Sequence, residues 1–415
     1  MKRVEKKKAG FSNPKRTGSQ KKKVLFVIHT LQVGGAERIL INLVNSLPKK
    51  KFDITVMTIV DMGKLKDQLA SHIKYKSVFS FNALKRLSGG DKKYSSNINS
   101  TKRKNPVKTL VIKAYELFWR RADLEKLYRE HVTEKYDIEV AFLEGIPSKF
   151  IGASNNKASK KIAWIHVDLI NEPKSDRFFN NLKEQKELYS RFDKIVCVSK
   201  VVKEQFYKKY GIAKNKTCVV YNPIDSVSII KKARKKASIK KAAFTFCSVG
   251  RLSTQKGYDR LIAASSKLKE DGFNFETWII GVGAEENNLR KLIAEYDAMN
   301  VKLLGYKENP YPYLKMSDVF VCSSRAEGFS TAVSEAIILE KPIITTKCSG
   351  MEEMLGDSKY GLVCENNLEE LYQSMWRILT DKEILNKYKT SVRKRAGLFS
   401  LKKSMAKIES MLETI

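Results

Sequence analysis

Short, wholly apolar runs recur along this chain, each followed by a glycine-containing or polar turn and then a helical pattern. Val24 to Ile28 (VLFVI) is the first, leading into His29 to Gly35 (HTLQVGG) and an amphipathic segment from Ala36 to Leu47. A strand that is apolar at every position must be covered on both faces, as strands inside parallel sheets are. Similar runs follow at Ile54 to Val60, Ile138 to Phe142, Lys161 to Ile165, Lys194 to Val198 and Thr217 to Val220. The turn Tyr221-Asn222-Pro223-Ile224-Asp225 interrupts the rhythm. A second series runs through Phe244 to Val249, Thr277 to Ile280, Val301 to Leu304, Asp318 to Cys322, Pro342 to Thr346 and a short strand near Leu362. This alternation predicts an α/β fold of open, mostly parallel, doubly wound sheets, and 415 residues are ample for two buried cores.

The same signals divide the chain into a basic tail over 1–22, a first α/β domain over 23–223, a second over 224–399, and a C-terminal helix over 400–415 expected to pack back on the first domain. The tail is rich in Lys, Gly, Ser and Pro and is expected to be disordered. Between about Phe79 and Pro106 the alternation is lost in a Lys/Ser/Asn-rich stretch that reads as a long insertion. Val107 to Val132 then has helical spacing, with Leu110, Tyr115, Leu117, Phe118 and Trp119 among Lys108, Lys113, Arg120, Arg121 and Lys126. Two readings fit it: an interfacial membrane helix, or a helix whose aromatics face the core while its cations are solvated.

Composition narrows the partners. Lys and Arg number 79 against 45 Asp and Glu, a net charge of +34, which favours anionic lipid headgroups, phosphorylated substrates or nucleic acid. No zinc-finger, RNP-type or recognition-helix signature is present, so an anionic membrane surface ranks first and no nucleic acid is expected. No run of eighteen apolar residues appears, and the basic N-terminus lacks the apolar stretch of a signal peptide, which predicts a cytoplasmic protein. The six cysteines show no CxxC pairing and read as reduced packing residues. With no HExxH and no DxD, neither a metal site nor a bound cofactor is expected.

Ser323 to Glu335 (SSRAEGFSTAVSE) follows the run Asp318 to Cys322 and opens a helical pattern. With Ser330 as N-cap, the free N–H groups of Ser330, Thr331 and Ala332 and the positive end of the helix dipole would suit a diphosphate. Glu335 falls one turn into that helix on the face of Thr331, and Glu327 on the loop before the cap. The second series supplies cations to the same chemistry. Phe244 to Val249 runs into Gly250-Arg251-Leu252-Ser253-Thr254-Gln255-Lys256-Gly257, a turn where Arg251 and Lys256 can converge on phosphate. Gly305-Tyr306-Lys307 is a loop suited to holding a base through its backbone. By position after strand ends, Glu144-Gly145 and His166-Val167-Asp168 are further candidates.

Taken together, GRLSTQKG, EGFSTAVSEA with seven residues between its glutamates, IITTKCSGMEEML, YNPID and VLFVIHTLQVGGAERIL resemble the retaining glycosyltransferases of family 4, and do so over nearly the whole chain from Val24 onward. The resemblance implies the GT-B architecture, two Rossmann-like domains facing each other across a cleft, the first holding the acceptor and the second the sugar nucleotide. It further implies that Arg251 and Lys256 contact the donor diphosphate, Glu335 the ribose, and Glu327 the hydroxyls of the transferred sugar. Gly328, Phe329, Ser330 and Thr331 would lie near sugar and phosphate, His166 near the reacting sugar, and Gly34 and Gly35 would face the donor from the first domain, with Tyr306 at the base. The expected activity is metal-independent, retaining transfer of a hexose or N-acetylhexosamine from a nucleotide sugar, UDP-linked by preference, to a lipid-linked saccharide on the inner face of the cell membrane. The alternatives are a synthase acting on a soluble acceptor and, more remotely, a nucleic-acid-binding protein on a doubly wound scaffold.

Overall fold

The computed structural model describes residues 21–80, 106–399 and 401–415. The tail and most of the insertion lie outside the described residues. Two sheets organise the chain, and every strand pairing in both is parallel. The first has the order β3-β2-β1-β4-β5-β6-β7, with β1 Lys22–Ile28, β2 Phe52–Asp61, β3 Lys74–Ser80, β4 Ile138–Ala141, β5 Lys160–Ile165, β6 Lys194–Cys197 and β7 Thr217–Val219. The second has the order β10-β9-β8-β11-β12-β13, with β8 Phe244–Val249, β9 Phe275–Ile280, β10 Val301–Leu303, β11 Val319–Cys322, β12 Ile343–Thr346 and β13 Leu362–Cys364.

Burial explains the pattern. Val24 through Ile28 are all fully buried between helices on the two faces of the first sheet. Each such side chain contributes about 1.5–3 kcal/mol relative to exposure. In the same sheet Trp164 is fully buried beside Phe142, with ring centroids 4.9 Å apart. Truncation of either ring to alanine would cost about 3–5 kcal/mol.

Three boundaries move. The first strand begins at Lys22, inside the stretch assigned to the tail, where β1 already pairs with Phe52. The insertion starts later than Phe79, because β3 extends to Ser80 and pairs Val60 with Phe79. Its sequence, KYKSVFS, is half polar because it is an edge strand, so it lacks the apolar run that marks the others. The segment from Val107 to Val132 is two helices, α2 Pro106–Arg121 and α3 Leu124–His131, following α1 Gly35–Ser46. Asp123 breaks it by accepting the backbone N–H of Lys126 as the N-cap of α3.

The core-facing reading of α2 holds for two of its aromatics. Trp119 is fully buried and Tyr115 packs edge-on to it at 6.2 Å, while Leu110, Leu117 and Phe118 are exposed. Among the described residues the remaining α-helices are α4 Ile146–Gly152, α5 Leu182–Ser190, α6 Lys200–Tyr210, α7 Ser226–Ala233, α8 Tyr258–Glu270, α9 Glu286–Glu295, α10 Tyr311–Met316, α11 Thr331–Ile338, α12 Met351–Leu355, α13 Leu368–Thr380, α14 Lys382–Arg395 and α15 Leu401–Thr414. The chain passes between domains twice, through residues 220–225 and again near 396–399. After the second crossing α15 lies on the first domain, where Lys22 donates to the Leu412 and Glu413 carbonyls and Lys51 pairs with Glu409 and Glu413.

Candidate active site

In each sheet the strand order reverses once, between β1 and β4 in the first and between β8 and β11 in the second. Loops leaving adjacent strands in opposite directions open a crevice at such a point. Gly34-Gly35 follows β1 and Glu144-Gly145 follows β4, while the Arg251–Gly257 turn follows β8 and the Ser323–Ser330 loop follows β11. The two crevices face each other.

On the second-domain side the turn and the loop are clasped together. Ser323 Oγ donates to the Lys256 carbonyl at 2.8 Å, Gln255 Nε2 to the Ala326 carbonyl at 2.9 Å, and the Arg325 backbone N–H to the Gln255 carbonyl at 2.7 Å. Gly257 has φ 62°, and a Cβ there would lie 2.1 Å from the Ser323 carbonyl oxygen, so only glycine closes this turn. The clasp brings Lys256 Nζ to 2.5 Å from Glu327 Oε1, which also accepts from Ser324 Oγ at 2.7 Å. Burial alone would depress the Lys256 pKa, but the Glu327 carboxylate beside it holds the ammonium above its ordinary value. The two residues assigned to different parts of a ligand therefore hold each other in this structure.

Ser330 caps α11, accepting the Val333 backbone N–H on its Oγ at 3.4 Å. Glu335 lies one turn on and accepts from Tyr311 Oη at 3.0 Å. Burial raises its pKa, opposed by Arg38 of α1 and by that tyrosine. Tyr306, in the loop after β10, is half exposed. The Phe329 ring is buried and stacks on Tyr221, with centroids 5.2 Å and planes 21° apart, so among the proposed donor-contacting residues it offers its backbone rather than its side chain.

The first-domain side is neutral by comparison. Burial lowers the His166 pKa to about 3, so its imidazole is uncharged at pH 7. Its Nε2 is buried without a hydrogen-bond partner, a polar atom that a sugar hydroxyl would satisfy. Glu144 accepts the His166 backbone N–H at 3.1 Å, and burial raises its pKa. Glu37, in the first turn of α1, is also raised by burial, with its own backbone N–H and Arg251 opposing. His29 at the end of β1 is bonded through Nε2 to Tyr115 Oη at 2.9 Å, and burial followed by Arg177 lowers its pKa to about 4.

The walls touch. A Cβ on Gly328 would lie 2.0 Å from the His166 carbonyl oxygen, and one on Gly35 would lie 3.3 Å from Thr331 Oγ1. Arg251 Nη2 is 3.4 Å from the Val33 carbonyl, and Ser349 Oγ donates to Asp168 Oδ2 at 2.5 Å. Arg251, Lys256, Glu327, Gly328 and Ser330 thus lie around the second switch point and Gly34, Gly35, Glu144 and His166 around the first, while Tyr306 follows β10, two strands away from β8. Reading the sequence missed Glu37, Arg38 and Tyr311. The first two follow Gly34-Gly35 after Ala36 in GGAER, a motif in which only the glycines received roles. Nothing local marks Tyr311, which meets Glu335 only through the packing of α10 against the second sheet.

Two parallel, doubly wound domains with their switch points opposed across a cleft define the GT-B class of glycosyltransferases. Within that class the chain belongs to the family 4, or group 1, glycosyltransferases: the profile described as Glycosyltransferase Family 4 matches residues 33–227 and that described as Glycosyl transferases group 1 matches 229–395. It is 32% identical over 215 residues to the N-acetylgalactosamine-N,N'-diacetylbacillosaminyl-diphospho-undecaprenol 4-alpha-N-acetylgalactosaminyltransferase of Campylobacter jejuni, a match covering 51% of this chain and 58% of that protein. An uncharacterized glycosyltransferase of Haemophilus influenzae is 24% identical, over 88% of this chain and 92% of its own. Among solved structures, HepE of Anabaena in complex with UDP and glucose superimposes with a TM-score of 0.69 at 19% identity, covering 94% of this chain and 99% of that one.

Proposed function

We propose that this protein is a retaining glycosyltransferase that moves a hexose or N-acetylhexosamine from a UDP-sugar to a lipid-linked saccharide in surface polysaccharide assembly. The observation that carries the reading is the convergence of Arg251, Lys256 and the capped N-terminus of α11 at one switch point, with Glu327 beside them. The nucleoside diphosphate departs from the anomeric carbon through an oxocarbenium-like state, and an acceptor hydroxyl attacks from the same face, its proton passing to the departing diphosphate oxygen. Arg251, Lys256 and the α11 N–H groups stabilise charge developing on the diphosphate, a fixed electrostatic arrangement that needs no metal ion. Glu327 takes hydroxyls of the sugar that moves, Glu335 the ribose, and His166 a sugar hydroxyl through its free Nε2. The HepE complex with UDP and glucose, and the lipid-linked substrate in the name of the Campylobacter relative, agree with this donor and acceptor class.

The decisive experiment offers purified protein a panel of radiolabelled nucleotide sugars with lipid-linked and soluble saccharides. Transfer from a UDP-sugar to the lipid-linked acceptor supports the reading. Equal transfer to a soluble acceptor favours the synthase alternative, and no transfer from any donor removes both.

Attachment to the inner face of the membrane rests on α2. Leu110, Ala114, Leu117 and Phe118 share a helical face and are exposed, with Lys113, Arg120 and Arg121 alongside. Among the described residues no helix is long and apolar enough to cross a membrane. Co-sedimentation with anionic vesicles should fall several-fold in the Leu117→Ser/Phe118→Ser variant with little change in melting temperature. Wild-type binding that is equal for neutral and anionic vesicles and insensitive to salt would remove this part.

A further inference from the structure

Two motifs of the chain have no part in the chemistry above, Tyr221-Asn222-Pro223-Ile224-Asp225 and the Glu353 segment of α12, and the structure joins them. Tyr221 lies in the first crossing between domains and its Oη donates to Glu353 Oε1 at 2.6 Å. The other oxygen of Glu353 accepts the backbone N–H groups of Lys200 at 2.8 Å and Val201 at 3.4 Å, the first residues of α6 in the opposite domain. Ser199, the N-cap of α6, takes the N–H of Val202. A carboxylate from the second domain thereby completes a helix start in the first, where the helix dipole favours its charge.

The same tyrosine stacks on Phe329, in the middle of the loop that carries Glu327 and ends at the Ser330 cap. On its other contact the Phe329 ring meets Phe399, in the second crossing, with centroids 5.9 Å apart. Both crossings between the domains therefore rest against one ring of this loop. The backbone before α12 supports that loop as well, since a Cβ on Gly350 would lie 2.3 Å from the Gly328 carbonyl oxygen.

We propose that Tyr221, Phe329, Phe399 and Glu353 form the pivot of domain closure and transmit it to the loop from Glu327 to Ser330. They are positioning residues and touch no reacting atom. Glu353 holds the first crossing against α6, Tyr221 passes that position to Phe329, and Phe399 fixes the ring from the second crossing. Closing the cleft then places Glu327 and the α11 N–H groups, and opening it releases them. Only the kinetic part of the proposal rests on the transferase reading.

The test uses the full chain and four variants, Glu353→Ala, Glu353→Gln, Phe329→Leu and Tyr221→Phe, in two measurements. Small-angle scattering without substrate should give Glu353→Ala and Phe329→Leu a larger radius of gyration than wild type. Glu353→Gln, whose amide oxygen still accepts hydrogen bonds, should return toward wild type. In transfer assays Glu353→Ala and Phe329→Leu should lose about tenfold to a hundredfold in kcat, the scale of a small misplacement at a reacting centre, with the donor KM nearly unchanged. Tyr221→Phe keeps the stacked ring and removes one hydroxyl, so it reads the Glu353 link even if Phe329→Leu fails to fold, with a smaller loss of the same kind. Scattering curves that superimpose on wild type for every variant overturn the pivot, as does a loss expressed only in donor KM. A wild-type chain that transfers no sugar sinks the functional reading and leaves the scattering, which needs no substrate, to decide the pivot.

Discussion

Across the cleft the second domain presents Lys256 and Glu327 as an ion pair and an Arg251 that reaches the Val33 carbonyl, whereas the first presents His166, Glu144 and Glu37, which burial pushes toward their neutral forms. The two crevices have the same topological origin, a reversal of strand order in a parallel sheet, and yet are built from different chemistry. A departing diphosphate gathers negative charge and needs fixed positive partners. Sugars and acceptors offer hydroxyls, for which an uncharged ring nitrogen or a carboxyl of raised pKa is a suitable hydrogen-bonding partner. Under the proposed function, the division of labour between domains is electrostatic as well as spatial.

The largest effect that would break this comparison comes from the ion pair. Lys256→Ala should lower kcat by about a hundredfold to a thousandfold, the usual result of removing one preorganised charge partner. It also strands Glu327 in a largely buried place, so the melting temperature should fall too. The double variant Lys256→Ala/Glu327→Ala should recover much of the melting temperature and none of the rate. Recovery of both would reduce the pair to a structural role.

Glu335 lies on the charged side but is assigned to the ribose, which does not change during the reaction. Glu335→Ala should therefore raise the donor KM by about tenfold to a hundredfold, the equivalent of one or two hydrogen bonds to a charged group, with kcat nearly constant. A kcat loss at unchanged KM would move Glu335 into the reacting part of the site.

A smaller effect separates the neutral side by pH. The folded-state pKa of His29 is about 4 and that of His166 about 3, both below the ordinary value of 6.5. The unfolded chain therefore binds protons more readily, so this contribution to stability is full above about pH 6.5 and is lost as pH falls toward 4. Melting curves between pH 7 and 4.5 should show a shallower decline for His29→Gln than for wild type. Parallel declines would mean that His29 titrates with the same pKa in the folded and unfolded chain.

Much of the charged side was legible in the sequence because it is local. Arg251 and Lys256 share one turn, Glu327 and Glu335 one loop and helix, and each follows an apolar run that can only be an inner strand. The contact between Lys256 and Glu327 was not, since it depends on β8 and β11 being neighbours although β9 and β10 separate them along the chain. β3 escaped because an edge strand tolerates polar residues, and the break at Asp123 because a cap inside helical periodicity leaves that periodicity intact. Tyr221, Phe329 and Phe399 come together only when both crossings are in place, which no local pattern encodes.

Calorimetric titration of UDP into the full chain at pH 7 tests the contrast between the two sides most directly. Arg251→Ala and Lys256→Ala should each weaken binding by about tenfold or more, as loss of a charge-assisted hydrogen bond does, while His166→Ala binds within about twofold of wild type. Unchanged affinity in both cation variants, or a loss confined to His166→Ala, would contradict the account.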